Sequence, residues 1–108
     1  MPTSLTLETA RSNHGTLVLT AVGEIDLSNI DAFDQALVTA SGEAARSGET
    51  LTVDLSRVEY LDSAAINALF ARADHIRLIA HPLLMSVFNM SGLTKLVSVE
   101  LAPMPAEH

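Results

Sequence analysis

Leu51-Thr52-Val53-Asp54-Leu55-Ser56-Arg57-Val58-Glu59-Tyr60-Leu61-Asp62-Ser63-Ala64-Ala65-Ile66-Asn67-Ala68-Leu69 is the stretch from which the fold of this 108-residue chain can be read. Its first five residues place Leu51, Val53 and Leu55 on one side of an alternating pattern, which predicts a strand. A polar passage follows over residues 56–60, interrupted by Val58. From Ala64 the chain is rich in alanine and free of Gly and Pro. Ile66, Leu69, Phe70 and Ala73 recur at helical spacing, so an amphipathic helix is expected. Asp62 and Ser63 are both good capping residues at its start. A serine hydroxyl is therefore expected at the positive end of a helix, directly after a strand.

The same reading extends to both sides. Residues 5–9 alternate and predict an edge strand, turned back by the polar run ending at Gly15. Residues 16–22 are more continuously apolar and predict a strand buried on both faces. After Gly23-Glu24-Ile25-Asp26-Leu27, Ser28 is expected to cap a helix, with Asp31 completing a capping box. Ile30, Phe33, Leu37, Ala40 and Ala44 mark its apolar face, and it is expected to fade between Gly42 and Gly48. Residues 76–80 predict a fourth strand after a short connection. Pro82 opens a third helix with Leu83, Leu84, Val87, Phe88 and Met90 as its apolar face, and Gly92 closes it. Met85, Phe88 and Met90 read as core filling. Residues 96–101 predict a last strand and residues 102–108 a frayed tail.

The order β-β-α-β-α-β-α-β implies an α/β domain spanning residues 1–108, with a mainly parallel sheet and an antiparallel N-terminal hairpin. Its helices are expected to cover one face. Open sheets of this kind bind partners beyond the carboxyl ends of their strands. That places Asp26 and the pair Asp62-Ser63 at one end of the molecule.

Composition narrows the function. Hydrophobic residues make up 48% of the chain, enough for one core without staples. The absence of cysteine excludes disulfides, thiolate metal sites and cysteine nucleophiles. His14, His75, His81 and His108 are scattered without ligand spacing, so no metal site and no cofactor are expected. There is no phosphate-cradling glycine loop and no nucleophile elbow around Ser63, which argues against an enzyme. A net charge of −7 disfavours nucleic acid and suits a basic protein surface. With no leader-like or membrane-spanning segment, a cytoplasmic location is expected.

Gly23-Glu24-Ile25-Asp26, Val53-Asp54-Leu55 with Leu61-Asp62-Ser63-Ala64-Ala65, and Met90-Ser91-Gly92-Leu93 together resemble the signature segments of STAS domains, specifically bacterial anti-sigma factor antagonists. The resemblance runs through nearly the whole chain in matching order. It implies a switch protein that binds an anti-sigma factor, a serine kinase of the GHKL type, when unphosphorylated, and so frees a sigma factor. It implies phosphorylation at Ser63. The partner-contacting face it implies comprises Asp26, Leu27, Ser28 and Asn29 with Asp62, Ala64, Ala65 and Asn67. The glycine usual in the family after the small residue is Ala65 here, a methyl group expected at the surface that partners touch. The alternative reading is a STAS docking subunit of a lipid-transport or stressosome-like complex that works without phosphorylation.

Overall fold

Alternating apolar side chains build the sheet, and helices with one apolar stripe close it. The computed structural model describes residues 4–102. Among these residues the order is β1 (Leu5–Arg11), β2 (Leu17–Ile25), α1 (Ile30–Arg46), β3 (Leu51–Leu61), α2 (Ser63–Ala71), β4 (Ile76–Ala80), α3 (Met85–Ser91) and β5 (Ser98–Leu101). The strands form one sheet in the order β1-β2-β3-β4-β5. β1 runs antiparallel to β2 and every other pair is parallel, as expected. Only Ala102 of the expected tail is described, its N–H donating to the Ala80 carbonyl at 2.9 Å. Residues 103–108 lie outside the described residues.

Each crossover steps the same way across the sheet, so right-handed connections put all three helices on one face. The burial pattern agrees. Leu17, Leu19, Ala21, Leu51, Val53, Leu55, Ile76, Leu78 and Ala80 point into the core, where they meet Phe33 and Leu37 of α1, Leu69 of α2 and Phe88 of α3. Each such large apolar side chain contributes about 1.5–3 kcal/mol when fully buried. Val18, Thr20 and Val22 face the other way and are half-buried, so β2 is covered on one face rather than both.

β3 is longer than its pattern suggests, running through residues 56–60 to Leu61. Two register shifts against β2 explain why. Thr20 pairs with Asp54 and Val22 with Arg57, then Gly23 with Val58 and Glu24 with Tyr60. Each shift inserts one extra β3 residue, as a β-bulge does. The inward positions therefore fall at 51, 53, 55, 58 and 61, and the spacing changes from two to three. Asp54 supports the first shift by accepting a hydrogen bond from the Ser56 N–H at 2.9 Å.

Gly23 is fixed by its neighbours. It holds φ of 117°, and a Cβ there would run into the Ser4 carbonyl, which accepts from the Glu24 N–H at 3.1 Å. The glycine that opens the Gly-Glu-x-Asp segment is thus required where β1 begins to cover β2. Gly92, at φ of 84°, ends α3 in the left-handed conformation and turns Leu93 into the core. Helix α1 ends at Arg46, within the expected range of Gly42 to Gly48, with Ser47 at its C-cap; it passes Gly42 because Ala44 still packs into the core.

Candidate functional site

Parallel pairing ends β2 and β3 side by side, with Ile25 opposite Leu61. The chain leaves both strands through an aspartate, and the two exits are bonded to each other. The Asp62 N–H donates to the Ile25 carbonyl at 3.1 Å. The Asp62 carboxylate then works in two directions. Oδ1 accepts from the Ala64 and Ala65 N–H groups at 3.0 and 3.3 Å and caps α2. Oδ2 accepts from the Leu27 N–H at 3.1 Å, across 35 residues of sequence. Asp62 is therefore the helix cap, and Ser63 is the first helical residue, exposed to solvent.

The facing loop is a bonded turn. The Ser28 N–H and Oγ both donate to Asp26 Oδ1, at 2.9 and 2.6 Å. Asn29 accepts from the Asp26 N–H through Oδ1 at 3.0 Å and donates from Nδ2 to the Glu24 carbonyl at 2.9 Å. The expected Ser28 cap does not form. Asn29 occupies the cap position, and its amide points back to the strand end rather than over the helix. The reason is the aspartate two residues earlier: an Asx turn captures the serine hydroxyl before α1 starts.

These turns push apolar side chains outward. Leu27 is 77% exposed. On the other side of Ser63 lies a groove of about 370 Å³ lined by Leu61, Asp62, Ser63, Ile66, Asn67, Val87, Met90 and Ser91. Met90 is 88% exposed, which corrects its expected place in the core. Leu84 and Phe88 form the inward stripe of the third helical segment. Leu83, Val87 and Met90 form a second, outward stripe at the same i, i+4, i+7 spacing. Apolar residues with two possible stripes do not reveal which one is buried, and so the groove was not visible in the sequence.

Of the residues expected to meet a partner, Asp26, Leu27, Ser28, Asn29 and Asp62 come together with Ser63 at one end of the sheet, and Asn67 is exposed beside the groove. Ala64 is half-buried. Ala65 is completely buried, so its methyl packs into the core and is not presented to a partner, contrary to expectation. The extra methyl relative to glycine is an internal feature of α2.

Among the groove's lining residues none is His, Lys, Arg or Cys, and the one carboxylate beside Ser63, that of Asp62, accepts from the Ala64, Ala65 and Leu27 N–H groups. Two of the α2 N–H groups that could receive an anion are already taken by Asp62. Among the described residues no group of three or more His, Cys, Asp or Glu side chains could hold a metal ion, and no helix is long and apolar enough to cross a membrane.

Comparison with known proteins points one way. A family model described as "Mlab, STAS domain" matches residues 8–98. An anti-sigma factor antagonist from Mycobacterium paratuberculosis superposes with a TM-score of 0.78 at 25% identity, over 90% of this chain and 86% of that one. The unphosphorylated anti-sigma factor antagonist SpoIIAA gives 0.67 at 18% identity, over 91% and 89%. The phosphorylated form of the Bacillus cell fate determinant SpoIIAA gives 0.62 at 19% identity, over 91% and 92%. No curated relative matches the chain by sequence.

Proposed function

Because the chain belongs to the STAS domain family, we propose that it is a non-enzymatic anti-sigma factor antagonist, acting in the cytoplasm and switched by phosphorylation at Ser63. The observation that carries this reading is the position of the Ser63 hydroxyl: exposed at the start of α2, between the outward Leu27 and the apolar groove of Val87 and Met90. The unphosphorylated face binds an anti-sigma factor, a serine kinase of the GHKL type, through Asp26 to Asn29, Asp62, Ala64 and Asn67. Binding withdraws that partner from its sigma factor. The partner transfers the γ-phosphoryl group of a nucleoside triphosphate. The Ser63 Oγ–P bond forms as the P–O bond to the β-phosphate breaks, and a base on the partner takes the hydroxyl proton.

Magnitude favours a switch at this place. Phosphate adds about −1.5 to −2 charges. A new charge ~4 Å from a partner carboxylate costs on the order of 4 kcal/mol at an effective dielectric near 20, roughly three decades in affinity. Within the fold, the same group sits at a helix N-terminus, where the positive end of the helix offsets part of its charge and the most it can displace is the Asp62 cap and loop bond, about 2 kcal/mol. Dissociation therefore outweighs unfolding.

Titrating wild type, Ser63→Ala and Ser63→Asp proteins against the anti-sigma factors of the same genome tests this. Ser63→Ala is expected to bind as wild type and Ser63→Asp on the order of a thousandfold more weakly. Equal binding by all three sinks the switch. It would favour the second reading, a docking subunit of a lipid-transport or stressosome-like assembly, which has one observation of its own. Asp62 already fills the Ala64 and Ala65 N–H positions where a phosphate would settle.

A further inference from the structure

The two signature loops share one carboxylate. Asp62 Oδ1 holds the α2 cap, and Oδ2 holds the Leu27 N–H. No core contact anchors Leu27, whose side chain is mostly in solvent. The Asp26 turn carries hydrogen bonds of its own, from Ser28 to Asp26 and from Asn29 to Asp26 and the strand end.

From this arrangement we infer that Asp62 is a positioning residue that couples the charge on Ser63 to the presentation of Leu27. The inference rests on Ser63 being the modified position, and goes further than repulsion of a partner by phosphate. A phosphate on Ser63 is covalently one residue from Asp62 and seeks the same Ala64 and Ala65 N–H groups. Two anions cannot share those donors without strong repulsion. Rotation of the Asp62 side chain relieves it, and the rotation that withdraws Oδ1 from the helix also carries Oδ2 away from Leu27. The modified protein thus loses its contact face twice: it gains a repelling charge, and it unlatches the apolar residue on the far loop. The Asp26 turn stays closed.

Amide hydrogen exchange and amide proton shifts, read residue by residue on the full chain, test the coupling with phosphoserine installed at position 63 during synthesis. Phosphorylation is expected to speed exchange at the Leu27 N–H by about tenfold, the loss of one hydrogen bond, and to shift its proton upfield. The Ser28 and Asn29 amides should hold. Asp62→Asn separates the two roles. Asparagine caps a helix as well as aspartate, but its single oxygen cannot also serve Leu27, and its NH2 would face the Leu27 N–H. Asp62→Asn should therefore free Leu27 to the same degree with α2 intact, and phosphorylation on that background should add nothing. The coupling is overturned if phosphorylation leaves Leu27 unchanged, or if Asp62→Asn does. Partner titration on the same samples keeps the two ideas apart. Lost binding with unchanged Leu27 protection overturns the coupling and leaves the switch standing. Faster Leu27 exchange with undiminished binding supports the coupling and sinks the switch.

Discussion

The two ends of the sheet are tied by different chemistry. At the amino end of β2, the Arg11 guanidinium donates to the Gly15 carbonyl at 2.6 Å and pairs with Glu49 at 2.8 Å. A polar cleft of about 330 Å³ lies nearby, lined by Thr16, Glu49, Thr50, Thr52 and Arg77. At the carboxyl end there is no cation between residues 26 and 29 or 62 and 67. Carboxylates and an amide there bind backbone groups, while Leu27 and the Ser63 hydroxyl are left facing outward. One end pairs a cation with a carboxylate. The other sets acidic and apolar side chains together with no cation in its own two loop segments, the complement of a basic surface with an apolar contact.

This contrast can be broken in graded steps. Gly23→Ala should cost the most, about 3 kcal/mol in urea unfolding, since it forces a side chain into left-handed backbone and against the Ser4 carbonyl. A cost under about 1 kcal/mol would mean that β1 moves aside easily. Asp62→Ala comes next at about 2 kcal/mol, the sum of a lost cap and a lost loop hydrogen bond. Asp62→Asn should recover the cap share of that loss, and equal costs for the two variants would show that the cap contributes nothing. Leu27→Ala should leave the unfolding midpoint in place and weaken partner binding by about tenfold, as for an exposed apolar anchor. Unaltered binding would remove Leu27 from the contact face.

The smallest effect belongs to the amino end. Hydrogen bonding to Arg11 lowers the Glu49 pKa from its ordinary value, opposed by desolvation. A carboxyl group with a depressed folded pKa stabilises fully above the ordinary carboxylate range, and loses that contribution as pH falls through the lowered value. Arg11→Ala should accordingly cost less stability than Gly23→Ala or Asp62→Ala, and its cost should vanish on acidification or in high salt. A penalty persisting at low pH would assign Arg11 to the Gly15 carbonyl rather than to Glu49.

Most of the fold was legible because its signals are local. Alternation or short apolar runs gave five strands, and the Phe33, Leu37 and Ala40 spacing gave the first helix. Alternation failed at residues 56–60, where two bulges change the inward spacing and imitate a loop. The candidate site was half legible. Ser63 and the facing Asp26 loop could be named from motif and sheet polarity. What could not be read was long-range: the tie between Asp62 and Leu27, the inward direction of Ala65 and the outward stripe of Leu83, Val87 and Met90. Cap assignment failed for a local reason instead, since Asp26 competes for the Ser28 hydroxyl that the capping-box pattern assumes to be available.

Strand order equal to chain order has a kinetic consequence. Each new strand joins the edge made by the strand just before it, so no pairing waits for a distant segment and no strand must be threaded between two others. Every closure spans only one hairpin or one helical crossover, which keeps the entropic barrier of each step modest. Such a sheet can grow in the direction of synthesis, with β1 and β2 paired before β5 exists. The Ser63 end is assembled as soon as α2 follows β3, ahead of the last helix that walls its groove.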